Sequence, residues 1–96
     1  MSALTRGVPY TISGTVGTAV ISVLGPQTAI NFLRVHNPSF TATIACTYDN
    51  VTNPVINTVG ITLGPGATDT WDTFIPNTTV KIVGSNAGAP YTIMYY

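Results

Sequence analysis

Ninety-six residues carry three cations (Arg6, Arg34, Lys81), three anions (Asp49, Asp69, Asp72), no glutamate and a formal net charge of zero. That is one domain in which 6% of residues are charged, against about a quarter in a typical soluble protein. So few cations exclude a phosphate-neutralising nucleic-acid surface, no apolar run approaches the roughly 18 residues that cross a bilayer, and the lone Cys46 excludes an internal disulfide or a zinc cluster.

Along the chain, helical periodicity is absent. Short runs rich in Thr, Val, Ile and aromatic residues alternate with Gly, Pro and Asn instead. Thr suits a half-buried strand, and about 17 of them are present. The pattern predicts an all-β chain, a single small antiparallel β-sandwich that is immunoglobulin-like or jelly-roll-like, over residues 1–96. Residues 1–7 form an extended N-terminal arm in this reading, and MSALTRGVPY lacks the charged-then-apolar pattern of a signal segment. Eight strands are expected, at 8–13, 18–24, 29–36, 41–48, 58–63, 68–74, 79–84 and 90–96. Turn chemistry separates them: Ser-Gly at 13–14, Gly-Pro at 25–26, Asn-Pro-Ser at 37–39, Asp-Asn at 49–50, Gly-Pro-Gly at 64–66, Pro-Asn at 76–77 and Ser-Asn-Ala-Gly at 85–88.

Two hairpins are predicted. The first pairs 29–36 with 41–48 so that Leu33 meets Ile44 and Val35 meets Ala42, with Asn37–Phe40 as the loop. The second joins 58–63 to 68–74 around Gly64-Pro65-Gly66, a tight corner rather than a phosphate cradle, since no helix follows it. "PYTI" occurs at 9–12 and again at 90–93, with unrelated flanks. Proline cannot donate to a ladder, so both copies are read as edge or near-edge terminal strands with Tyr and Ile on one face and Thr on the other.

Little here points to chemistry. Asp69 and Asp72 flank Trp71 but stand three apart on a strand, on opposite faces, and cannot converge on a proton or a metal. Asp69 and Asp49 are expected to bond local backbone groups in turns. His36 points away from Cys46, which leaves no Cys–His pair, and Cys46 is read as a small buried hydrophobe. Asn50-Val51-Thr52 and Asn77-Thr78-Thr79 are read as chance matches to the glycosylation sequon. No catalytic, cofactor-binding or metal-binding residues are assigned, and the chain is expected not to be an enzyme. Trp71, Tyr91 and Ile93 are expected in the core. Of Tyr95 and Tyr96, at least one is expected to be exposed or covered by another chain, because neighbours on a strand face opposite ways.

"NFLRVHNPSFTATIACTYD", "GITLGPGATDTWDTF" and "VKIVGS", spanning about residues 29–88, resemble a pattern of small immunoglobulin-like β-sandwich accessory proteins of tailed bacteriophage virions. The pattern runs from a strand ending in an Asn-containing turn, through an I-x-L-x-P-G corner and an aromatic strand, to a V-x-V-x-G strand. The resemblance implies a capsid decoration (cement) protein, located on the capsid surface, that binds the assembled shell and stabilises it, or a related head or tail accessory. Its partners would be the major capsid protein or other virion proteins, with self-association as a further option and neither nucleic acid nor membrane involved. Independently, neither PYTI strand contains a charge to blunt an exposed edge, so either both edges are covered within the fold or one is completed by another chain. The contacting residues are expected to be Arg6, reaching an acidic partner, with Val8, Tyr10 and Ile12 of the first strand, and Tyr95 and Tyr96 at the end. The alternative is a tail-associated or secreted (extracellular) carbohydrate-binding module that uses exposed Tyr and Trp, with Asp72 and Asn77 near Trp71 as its polar groups.

Overall fold

The computed structural model describes residues 10–24, 30–72 and 79–96. Eight strands form: β1 (Tyr10–Val16), β2 (Ile21–Leu24), β3 (Leu33–His36), β4 (Ile44–Thr47), β5 (Ile61–Leu63), β6 (Thr68–Trp71), β7 (Val80–Gly84) and β8 (Ala89–Tyr95). Each lies within or overlaps a stretch predicted from the sequence. Strand periodicity is the reason. Inward positions of β3 and β8 (Leu33, Val35, Tyr91, Ile93) are buried while alternate ones reach the surface, as a period of two requires. The predicted extension of the first strand over residues 8–9, the ends of the sixth at 73–74, and the turns at 25–26 and 76–77 lie outside the described residues.

The strands make two antiparallel sheets of four, in the orders β1-β8-β3-β6 and β2-β7-β4-β5. Successive strands change sheet at every connection except β4–β5. That is the strand order of a jelly roll, in contrast to the immunoglobulin arrangement. Between the sheets the core is built from Leu24, Leu33, Val35, Ile44, Val80, Ile82 and Ile93, each contributing roughly 1.5–3 kcal/mol on burial.

Both predicted hairpins are corrected by this topology. β3 pairs with β8 and β6, and β4 with β7 and β5, so Leu33 and Ile44 meet across the core rather than along a ladder. Likewise β5 and β6 sit in different sheets, and the Gly-Pro-Gly corner carries the chain between them. Its local chemistry is as expected: Ala67 N–H donates to the Gly64 carbonyl at 3.0 Å and Gly66 adopts φ +76°. Alternation of apolar residues names the face of a strand, and facing positions of two sheets satisfy it as well as neighbouring positions of one.

Asn37 is the residue that converts the predicted loop into a crossing. It is fully buried, and its Nδ2 donates to the carbonyls of Ala42, Leu63 and Gly64 at 2.8, 2.9 and 3.1 Å. Its backbone N–H donates to Ala67 O and its carbonyl accepts from Gly66 N, both at 2.9 Å. One side chain thus ties the β3–β4 crossing to the β5–β6 corner. The β7–β8 turn joins the same end of the sandwich: Ser85 N–H donates to Thr43 O at 2.9 Å, and Gly84 N–H to Gly17 O at 2.8 Å.

The two PYTI copies pair with each other. β1 is the edge and β8 its inner neighbour, with Ile12 opposite Ile93 and Tyr10 opposite Tyr95. The Ser-Gly turn expected at 13–14 is absent, because β1 continues to Val16. Gly14 faces Tyr91, whose hydroxyl would lie 2.7 Å from any Cβ at that position, so glycine makes room for the ring.

Candidate functional site

At one rim of the sandwich, the edge strands β5 and β6 leave inward-facing residues uncovered. Trp71 shares a face of β6 with Asp69, opposite Leu33 and Val35, which is core parity. It is nevertheless 42% exposed, which corrects the expectation of a core tryptophan. Ile61 sits on the same face of β5 as buried Leu63 and is 39% exposed. Between them lies a cleft that is shallow and largely open to solvent, with Tyr48, Asp49 and Gly60 in its lining. Gly60, at φ +87°, lets the chain lie against β4: a Cβ there would collide with the Cys46 carbonyl oxygen.

The exposed indole is held in place. Asp69 Oδ2 accepts from Trp71 Nε1 at 2.9 Å and from the Tyr48 hydroxyl at 2.7 Å. The Tyr48 ring meets the indole edge-on, with centroids 5.5 Å apart at 71°. Asp69 therefore bonds side chains, a correction to the backbone-capping role expected of it. Asp49 does cap its turn: Oδ1 accepts from Val51 N at 3.0 Å and Thr52 N at 2.8 Å, and Oδ2 from the Thr52 hydroxyl at 2.6 Å. Hydrogen bonds from the Thr52 side chain and backbone, then from Val51, lower its carboxyl from the ordinary 3.8 to about 2. Behind the cleft, burial raises the Cys46 thiol from 9.0 to about 11; the Tyr48 contact opposes this and the Asp69 charge adds to it. Burial, and then Cys46, also raise the Tyr48 phenol. Cys46 is fully buried with its Sγ 3.2 Å from the Tyr48 hydroxyl, a protonated packing residue as the sequence suggested.

The residues expected to contact a partner are placed differently. Arg6 and Val8 lie outside the described residues. Tyr10 is half-buried and stacks on Tyr95, centroids 5.6 Å apart, while Ile12 packs against the core. Tyr96 stacks on Phe32 at 5.1 Å with Arg34 above that ring, so the two terminal tyrosines do take opposite faces. Neither is fully exposed; aromatic neighbours from this same chain half-cover both. His36 and Cys46 lie in different sheets, and His36 Nδ1 is 2.8 Å from the Thr68 hydroxyl. Asp72 is exposed beside Trp71, whereas Asn77 lies outside the described residues.

Two sites were not found by reading the sequence. One is the rim cleft beyond Trp71, with Tyr48, Asp49 and Ile61, because only the fold shows that β6 is an edge; an exposed Trp71 beside Asp72 belonged to the carbohydrate-binding alternative. The other is Phe40, 96% exposed at the tip of the β3–β4 crossing. Its loop is rigid: Ser39 Oγ accepts from Thr41 N at 3.1 Å and Ala42 N at 2.8 Å, and Ser39 N–H donates to Asn37 Oδ1 at 3.0 Å. A Phe within an Asn-Pro-Ser-Phe loop was the available signal.

The fold and these two surfaces define a small jelly-roll domain with a rigid apolar tip and an aromatic cleft at its rim. No protein-family model and no curated protein matches the chain.

Proposed function

We propose that this protein is a structural virion component, a capsid decoration protein that binds the assembled shell and stabilises it. The observation that carries this reading is Phe40, a fully presented aromatic on a loop locked by Asn37 and Ser39. An exposed aromatic on a hydrogen-bonded loop suits a hydrophobic pocket on a partner, because the loop backbone has little freedom left to lose on docking. The near absence of charge fits a surface whose solubility is met by an assembly, and the jelly roll recurs in capsid proteins, which supports the reading by analogy of fold. Binding assembled shells and not free subunits stabilises the shell by mass action, and many copies multiply a modest contact energy per site. The partner is the major capsid protein or another virion protein. The N-terminal segment with Arg6 and Val8, and the edge strand carrying Tyr10 and Ile12, form a second contact in this reading.

Density-gradient sedimentation of native particles, followed by mass spectrometry, tests the proposal. Co-migration of the chain at many copies per particle is expected, and Phe40→Ser should release it into the light fractions without lowering its melting temperature. Recovery of the wild-type chain only as a free small protein overturns the proposal.

A further inference from the structure

The cleft at the β5–β6 rim has features that a docked protein edge does not require. Its principal wall is the indole of Trp71, 42% exposed, whose Nε1 is held by Asp69 and whose ring meets Tyr48 in a T-shaped contact. Rigid aromatic faces receive the C–H face of a sugar ring, and a lining of Tyr48, Val59 and Ile61 continues that apolar surface. Beside it stands a polar group suited to hydroxyls. Asp49 accepts two backbone N–H groups on Oδ1 and one hydroxyl on Oδ2, and a carboxylate offers about four acceptor positions, so Oδ2 keeps capacity for a ligand O–H. The charge of the rim sets the class of sugar. Asp49 is in the lining and Asp69 hydrogen-bonds the Tyr48 that lines it, while no Lys, Arg or His is in the lining among the described residues. Sialylated, sulfated or phosphorylated ligands are repelled there, and nucleic acid with them.

We infer that the Trp71–Tyr48–Asp49 cleft is a binding site for neutral saccharides, with Trp71 as the stacking platform and Asp49 as the hydroxyl acceptor. The inference does not depend on capsid binding, since Phe40 lies on the β3–β4 crossing and the cleft is at the opposite end of β4, beyond Thr47.

Trp71 is the one tryptophan of the chain, so its fluorescence reports the site directly. The whole protein should be titrated with neutral oligosaccharides of hexose or N-acetylhexosamine, beside a sialylated and a sulfated oligosaccharide, and the same set immobilised for retention measurements. A saturable change in Trp71 emission is expected with at least one neutral glycan and none with the acidic ones. Trp71→Ala should weaken retention about tenfold or more. Asp49→Asn, which keeps an acceptor for the turn but loses the charge, should weaken it several-fold, and Phe40→Ser should leave it unchanged. No response to any neutral glycan, a response only to acidic glycans, or undiminished binding by folded Trp71→Ala overturns the inference. Loss of particle binding by Phe40→Ser with glycan binding intact keeps the two sites distinguishable.

Discussion

The sheet β1-β8-β3-β6 has two edges, and they treat their inward-facing residues in opposite ways. At the β1 edge, Val16 is buried, Gly14 gives its space to Tyr91, and Gly17 accepts a hydrogen bond from Gly84 of the other sheet. At the β6 edge, Trp71 has the same inward parity and stays open to solvent, held by a carboxylate and a phenol. Strand parity is equal in the two cases. What differs is the chain lying opposite: the end of β1 packs onto β7, whereas β6 faces the three-residue β5. A closed edge contributes stability and an open one leaves a surface for recognition, so stability and binding should respond to different substitutions.

The largest effect tests the tie between crossing and corner. Asn37→Ala removes the amide donor from the Ala42, Leu63 and Gly64 carbonyls, of which Gly64 keeps the Ala67 N–H, and unfolding free energy should fall by about 3 kcal/mol, read from the urea midpoint. A loss well below 1 kcal/mol would mean that water replaces the amide. Next comes the closed edge. A methyl at Gly84 would lie 2.8 Å from Ala89 Cβ and 3.0 Å from the Val16 carbonyl oxygen. Gly84→Ala should therefore cost about 2 kcal/mol.

The comparison is sharpest between two aromatics. Tyr91→Ala, on β8 beside the closed edge, should cost about 3 kcal/mol, and Trp71→Ala at the open edge under about 1 kcal/mol, in parallel thermal melts. Equal losses would show that the rim is part of the core. The smallest effects are those of pH. Cys46 titrates at 9.0 in the unfolded chain and about 11 when folded, so between those values the unfolded state releases its proton first and stability falls as pH rises. Cys46→Ala should reduce that slope, leaving the part that belongs to the Tyr48 phenol, which burial also raises. Asp49 is the reverse case: its lowered pKa stabilises the fold above about 4, and that contribution disappears as pH falls towards about 2. Because the carboxylate is exposed, the acid-side shift should be small and should shrink further in salt.

Much of this architecture was legible in the chain. Period-two patterns located all eight strands, and Pro65-Gly66 marked a turn whose positive φ is observed. The candidate sites were less so. Trp71 read as core because its parity is a core parity, and Asp69 read as a turn residue because Tyr48, its partner, lies 21 residues away. Phe40 passed as a loop residue, since nothing local states that Asn37 and Ser39 will hold its loop outward.

The sequence by itself determined that the chain is all-β, which residues face inward, where the chain turns, and that only six residues are charged. Alternation and turn chemistry are local, so they can be read from neighbours along the chain. Only the tertiary structure decided that β3 meets β8 and not β4, that PYTI pairs with PYTI, and which strands became edges. Those outcomes depend on long-range pairing energies and on Asn37 finding carbonyls 5 to 27 residues away, which no local pattern encodes. The open rim follows from the choice of edges, and so does the site proposed there.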